Sequence, residues 1–197
     1  MGLAPDCSYS AHLGLSAEEI MSSEPYLIRP AVIEDYDNLC KIMHIVDRYH
    51  AEQHPERFRS VSEGRAWSLD YIQGILDNPN NQIFLAELAA TPVGYIVVFV
   101  IDPPELPIFI QDRFASIENL GVLTQARRLG IGKALMKTAE RWAARHGAKR
   151  IDLSVYLFNQ PAIDLYDALG YVAVSQKMSK PVELENNASI SDAGAIE

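Results

Sequence analysis

Cysteine is scarce in this chain, with two among 197 residues. Cys7 stands near the N-terminus and Cys40 lies in a helix-patterned segment, so we expect no disulfide framework and favour a reducing, cytoplasmic compartment. No apolar run approaches the roughly 20 residues that span a bilayer, and the first residues lack the basic-then-apolar pattern of a signal peptide. The composition therefore predicts neither a membrane-spanning nor an exported protein.

Positive charge is also in the minority, with 17 Lys and Arg against 26 Asp and Glu, a net charge of −9. A general nucleic-acid binder is normally basic, so we expect no nucleic-acid partner. A cationic substrate is compatible with the acidic chain. The basic residues are concentrated between Arg127 and Arg150, where Glu140 is the only acid. This stretch is either a solvated helix face or a local site for a polyanionic ligand, and the adjoining glycine turn favours the site.

A glycine-bearing turn joins an apolar strand at Ile117–Val122 to an amphipathic helix. Exposed N–H groups and the positive end of a helix dipole favour phosphate at such a place, and glycines let a ligand approach the main chain. A Walker A loop fails because Lys133 is followed by Ala134 rather than Ser or Thr. A dinucleotide fingerprint fits poorly because only Gly130 and Gly132 are present and they come late in the chain.

Periodicity along the chain predicts one α/β domain over residues 25–180. Residues 1–24 are predicted to form an extension with one capped turn at Ser16–Met21, where Met21 is an alternative start, and residues 181–197 are predicted to form a disordered acidic tail. The predicted strands are Tyr26–Pro30, Ile83–Leu88, Val93–Ile101, Phe114–Leu123, Ile151–Leu157 and Tyr171–Met178, and the predicted helices start near Asp35, Ser62, Gly130 and Asn159.

The turn Arg127–Gly132 fits the pattern Arg/Gln-x-x-Gly-x-Gly/Ala that holds the pyrophosphate of coenzyme A. Downstream, Asn159–Tyr166 and Leu169–Tyr171 match a second block, Asn-x-x-Ala-x-x-Leu-Tyr followed by Leu-Gly-Phe/Tyr. The sequence thus resembles the GNAT superfamily of acyl-CoA-dependent N-acetyltransferases over about 26–178, although the half before Phe114 carries almost no specific signature. The resemblance implies a mixed, mostly antiparallel central sheet with helices on both faces.

The resemblance also implies acetyl-CoA as the acetyl donor and no metal. In this family two neighbouring strands splay apart, and the pantetheine arm pairs with the backbone in the gap. Asn159 has a second interpretation as a simple helix N-cap. The implied cofactor-binding residues are Leu120, Val122, Gln125, Arg127, Arg128, Leu129, Gly130, Ile131, Gly132, Lys133, Ala134 and Asn159.

Two residues are candidates for proton transfer. Tyr166 occupies the position where the family keeps a tyrosine that protonates the departing thiolate, and its alternative is a core tyrosine. Glu118 alternates with Leu120 and Val122, so we expect the three side chains to share one face of the strand. A carboxylate there could accept a proton from the acceptor ammonium, whereas its alternative is a polar residue at a solvated sheet edge.

The segment from His50 to His54 reads His-Ala-Glu-Gln-His. Its glutamate stands in the wrong place for His-Glu-x-x-His and no third ligand is evident, so we expect no metal site. The family resemblance places this region beside the acceptor pocket. His50, Glu52, His54 and Phe58 are therefore candidate acceptor contacts, with a surface loop as the alternative.

The leading function is transfer of an acetyl group from acetyl-CoA to a primary amine, which attacks the thioester directly in a ternary complex. No cysteine lies in the motif region, which speaks against a covalent route. A small and cationic amine is favoured as acceptor. A protein N-terminal or lysine acetyltransferase, or a non-catalytic acyl-CoA-binding module, remains an alternative, and the family resemblance leaves a homodimer open.

Overall fold

The computed structural model describes residues 25–59 and 66–182. The predicted turn at Ser16–Met21 and nearly all of the predicted tail lie outside these ranges. Short 3-10 turns occupy Ile33–Asp35 and Thr124–Ala126. The strands are β1 (Tyr26–Pro30), β2 (Asn81–Leu88), β3 (Thr91–Ile101), β4 (Phe114–Val122) and β5 (Arg150–Leu153), and the helices are α1 (Tyr36–Gln53), α2 (Leu69–Asp77), α3 (Ile131–Arg145) and α4 (Gln160–Ala168).

The five strands form one sheet in the order β1-β2-β3-β4-β5. The first three pairings are antiparallel and the last, between β4 and β5, is parallel. Alternate residues of β3 face opposite sides: Ile96 and Val98 pack into the core beneath α3, whereas Tyr95 and Val97 pack against α1 and α2. The predicted mixed, mostly antiparallel sheet with helices on both faces is thus confirmed.

Helix α3 follows directly from its sequence. Ile131, Leu135 and Ala139 recur every four residues and are almost completely buried against the sheet. Gly130 precedes the helix with φ 82°, and Gly147 follows its last turn with φ 86°. Both values lie in the left-handed region that glycine adopts without steric cost, so glycines fix the two ends of this helix.

The predicted strand at Tyr171–Met178 is wrong: this segment has no regular structure. The backbone N–H of Tyr171 bonds to the carbonyl of Tyr166 and closes the end of α4. Beyond it the chain leaves the core, and Val172, Val174 and Met178 are 79%, 87% and 84% exposed. A strand requires a neighbouring strand with which to exchange hydrogen bonds. Within the described residues, no strand pairs with this segment.

Two other predicted elements are shorter than expected. The strand predicted at Ile151–Leu157 ends at Leu153. The helix predicted from Ser62 begins at Leu69, where the Ser68 hydroxyl accepts a hydrogen bond from the Tyr71 backbone N–H at 3.1 Å. Ser68 therefore acts as the N-cap. Residues 60–65 are outside the described ranges.

Candidate functional site

The sheet contains an internal edge between β4 and β5. Their parallel pairing runs from Phe114 opposite Arg150 to Ile117 opposite Leu153, and there it stops. Strand β4 continues for five more residues to Val122, whereas β5 has ended. The free side of this stretch of β4 can hydrogen-bond an extended ligand as a further strand would. This is the splayed arrangement that the family resemblance implied.

A bulge in β4 lies at the point where the strands separate. Val97 pairs with Asn119 and Val98 pairs with Ile117, so Glu118 has no partner on β3. The strict alternation that predicted a shared face for Glu118, Leu120 and Val122 is therefore interrupted, because a bulge residue breaks the two-residue period. The Glu118 side chain is exposed. Glu118 directly follows Ile117, the last residue of β4 that pairs with β5, and so stands at the apex of the gap between the two strands.

The turn after β4 presents a row of backbone donors. Arg128 and Gly130 adopt positive φ values of 64° and 82°. From Arg128 to Lys133, no backbone N–H donates to another group in the described part of the chain, and the first intrahelical bond at this end runs from Ala134 N–H to the Gly130 carbonyl at 3.0 Å. Successive free N–H groups at the positive end of a helix form a binding site for phosphate oxygens.

Side chains around this turn divide into exposed and buried groups. Gln125, Arg127, Arg128 and Lys133 are exposed and can contribute positive charge or hydrogen bonds. The Nε of Arg127 donates to the Val122 carbonyl at 3.1 Å, which ties the turn to the end of β4. Exposed cationic side chains and free amides thus occur on the same turn.

The apolar residues among the predicted cofactor-binding residues contribute to packing through their side chains. Ile131 is 1% exposed, so its side chain packs in the core and only its N–H can serve a ligand. A Cβ on Gly132 would lie 3.3 Å from Leu165 Cδ2, which explains why a glycine stands where α3 meets α4. Leu120 and Val122 pack partly into the core beneath α3.

Helix α4 carries Tyr166, and Asn159 stands at its N-cap position. The Asn159 side chain makes no capping hydrogen bond, although its carbonyl accepts from Ala162 N–H at 3.0 Å. Its amide is therefore not occupied as a helix cap. Tyr166 packs partly against the core beneath α3, and burial raises the pKa of its phenol above the ordinary value. Within the described chain its hydroxyl makes no hydrogen bond, and the phenol remains protonated at neutral pH.

An aromatic cluster joins the end of α1 to the loop after β5. The His50 ring centroid lies 5.6 Å from that of Phe58 and 5.7 Å from that of Tyr156. His54 lies 5.3 Å from Tyr156 and 5.1 Å from Phe158. Three of the four predicted acceptor residues therefore come together. Tyr156 was missed because it falls in the predicted strand Ile151–Leu157, and Phe158 because it falls between that strand and the predicted helix.

Glu52 does not join this cluster. Its side chain is 61% exposed and pairs with Arg48 at 3.6 Å along the same helix face. The carboxylate that contacts His54 is that of Glu56, which lies 2.6 Å from His54 Nδ1. Over residues 25–59 and 66–182, no group of three or more His, Cys, Asp or Glu side chains is arranged to hold a metal ion.

Comparison with known proteins identifies the family in which this arrangement occurs. The sequence model described as "Acetyltransferase (GNAT) family" matches residues 41–171, well over half of the chain. The chain belongs to the acetyltransferase (GNAT) family. As a GNAT protein, it shares 27% identity over 161 residues with an N-alpha-acetyltransferase of Sulfurisphaera tokodaii, covering 79% of this chain and 86% of the relative.

Solved structures show the same GNAT fold. A mutant of the BH1408 protein from Bacillus halodurans superposes with a TM-score of 0.74 at 24% identity, covering 80% of this chain and 99% of the other. An aminoglycoside acetyltransferase from an uncultured soil metagenomic sample gives 0.59 at 20% identity, covering 83% and 99%. Among the described helices, none combines the length and apolarity needed to cross a membrane.

Proposed function

We propose that this GNAT protein transfers an acetyl group from acetyl-CoA to a primary amine of a small cationic acceptor. The main support is the continuity of two features. The stretch of β4 from Glu118 to Val122 is unpaired on its β5 side, and it leads through the short turn Thr124–Ala126 into the free amides from Arg128 to Lys133. An extended arm with amide groups, followed by a pyrophosphate, matches that succession of backbone donors and acceptors.

In this proposal the donor occupies both features. The pantetheine amides pair with the backbone of Leu120 and Val122, and the pyrophosphate lies on the N-terminus of α3. The acetyl thioester then lies near the apex of the gap, where Glu118 stands. Backbone N–H groups of β4 at that end of the gap polarise the carbonyl, and fixed donors of this kind stabilise the negative charge that develops on its oxygen.

The proposed chemistry is a direct transfer. The neutral amine attacks the thioester carbon, a C–N bond forms, and the C–S bond breaks with the electron pair leaving on sulfur. Glu118 accepts the proton that the amine loses, and Tyr166 donates a proton to the thiolate. The raised pKa of Tyr166 keeps its phenol in the donor form.

The nature of the acceptor is inferred from charge and from relatives. The net charge of −9 favours a cation. One similar structure is an aminoglycoside acetyltransferase, which supports a small polyamine-like acceptor. The N-alpha-acetyltransferase relative supports the alternative of a protein amine. We place the acceptor on the α1 side, bordered by His50, His54 and Phe58.

The test is thiol release from acetyl-CoA in the presence of a panel of small amines and peptides. We expect release that depends on a small amine. Glu118→Gln should lower turnover on the order of 10²-fold at low pH, where the amine is protonated, and leave acetyl-CoA affinity unchanged. Glu105→Gln, in the exposed loop before β4, is the matched control.

Each other outcome favours a different conclusion. Release only with peptides indicates a protein acetyltransferase. Tight acetyl-CoA binding with no release indicates a non-catalytic module. Equal turnover of Glu118→Gln and the unchanged protein at every pH removes Glu118 from the mechanism.

A further inference from the structure

Within residues 25–59 and 66–182, a half-buried carboxylate on α1 has no cationic partner. The Oδ2 atom of Asp47 accepts a hydrogen bond from the Trp67 indole Nε1 at 2.9 Å. Across the described ranges, no ion pair of 4.0 Å or less involves Asp47, although Arg29 and Arg48 do form such pairs. Taking a carboxylate out of water is costly unless a cation or several hydrogen bonds compensate for it. One indole N–H compensates only in part.

The segment of α1 that carries Asp47 also packs against β4. Val46, the chain neighbour of Asp47, packs against Gly121 of β4. The buried Tyr95 hydroxyl donates to Asn119 Oδ1 at 3.4 Å, and Asn119 immediately follows the bulge residue Glu118. Burial raises the pKa of Tyr95, and the negative charge of Asp47 raises it further. The charge of Asp47 therefore acts on a group that touches β4 beside the proposed reaction centre.

Trp67 alone does not account for the negative charge at this position. An asparagine oxygen would accept the indole N–H equally well, without the cost of desolvating an ion. A carboxylate that has no cationic partner in the described part of the chain is suited to a cation from outside it. It would stabilise the charged form of an ammonium and oppose its deprotonation. It is thus poorly suited to the reacting amine, which must be neutral, and well suited to another ammonium of the same molecule.

We propose that Asp47 binds a second, non-reacting ammonium group, so that the preferred acceptor carries at least two amines. This inference rests on the proposed function and specifies its substrate class. The acceptor has one ammonium on Asp47 and directs its other amine at the thioester beside Glu118. Trp67 is a positioning residue, because it holds the carboxylate.

The experiment compares two acceptors of equal chain length, 1,4-diaminobutane and butylamine. The unchanged protein should acetylate the diamine with a kcat/KM about 10- to 100-fold higher, the range expected for a hydrogen bond between charged groups. Asp47→Asn should remove this preference by raising KM for the diamine while leaving butylamine turnover and acetyl-CoA affinity unchanged. Asp70→Asn, which changes an exposed carboxylate in the first turn of α2, should retain the preference.

Three results would overturn the inference. The first is equal efficiency of the unchanged protein with both amines, a measurement that does not depend on the variant folding. The second is an equal loss by Asp47→Asn with both amines, which indicates a structural role, and the third is no loss with either. Thiol release with neither amine nor any other acceptor contradicts the proposed function itself, and is thereby distinguished from these results.

Discussion

Tyr95 lies so close to the backbone of Gly121 that a Cβ at position 121 would be 2.6 Å from Tyr95 Cε1. The same Cβ would be 2.7 Å from Val46 Cγ2. Tyr95 is 0% exposed and cannot move aside without disturbing the core. The absence of a side chain at Gly121 therefore sets how closely α1 approaches β4 next to the gap.

We expect Gly121→Ala to lower the free energy of unfolding by about 1–3 kcal/mol, because the added methyl group overpacks this contact. The control is Gly74→Ala in α2, where a new Cβ meets nothing within 4 Å. That variant should gain roughly 0.5–1 kcal/mol, since alanine favours a helix over glycine. Urea denaturation measures both. A Gly121→Ala protein as stable as Gly74→Ala would show that the contact is not a constraint.

Gly130→Glu should weaken acetyl-CoA binding by at least about tenfold, whereas Arg128→Ala should weaken it only a few-fold. The glutamate places negative charge and a Cβ beside the free amides, whereas Arg128 contributes an exposed side chain. Titration calorimetry measures both dissociation constants. Gly170→Ala controls for backbone strain, because Gly170 has a similar φ of 88° away from the turn. Normal binding by a folded Gly130→Glu protein would contradict the proposed phosphate site.

Tyr166→Phe should lower kcat by about 10²-fold, because the departing thiolate loses its proton donor. The raised pKa of Tyr166 means that its donor form persists as pH rises past 10, the ordinary value for a phenol. Deprotonation of Tyr166 is therefore not expected to lower kcat below pH 10. Tyr171→Phe is the control, since it breaks the bond to Glu140 at 3.0 Å and should affect stability only. Equal kcat for Tyr166→Phe and the unchanged protein would exclude the role.

Asp35 should make stability fall in acid. The Arg29 guanidinium, at 2.7 Å, holds the pKa of the Asp35 carboxyl below its usual 3.8. A group whose folded pKa is lowered contributes stability above the unfolded pKa, and this is lost as pH falls through the folded value. Guanidinium denaturation at pH 7 and pH 3 should show a smaller decrease for Asp35→Asn than for the unchanged protein. Asp164→Asn, at an exposed site, should match the unchanged protein, and an equal decrease in Asp35→Asn would contradict the linkage.

The sequence was sufficient for features that depend on local periodicity. The apolar spacing of Ile131, Leu135 and Ala139 predicted the buried face of α3, and the glycines at 130 and 147 predicted its ends. The glycine turn between β4 and α3 could be predicted because its geometry is encoded in consecutive residues, and its binding of coenzyme A stays a prediction. Such features need no knowledge of which distant segments meet.

Features that depend on pairing could not be predicted. Alternation at Tyr171–Met178 reports a two-residue period and says nothing about a neighbouring strand, which this segment lacks in the described structure. The bulge at Glu118 follows from the register of β4 against β3. The contacts of His54 with Tyr156 and Phe158 join segments about a hundred residues apart. Each requires the three-dimensional arrangement.

The short ladder between β4 and β5 has a mechanical consequence. In the described chain only four residue pairs join β5 to the rest of the sheet, so β4 and β5 separate more easily than any other two neighbouring strands. Acetyl-CoA bound in the gap would contact both β4 and β5 and would stabilise the sheet as a sixth strand does. At a ligand concentration 100 times Kd, such binding adds about 2.7 kcal/mol to the free energy of unfolding. Binding of acetyl-CoA therefore also stabilises the sheet.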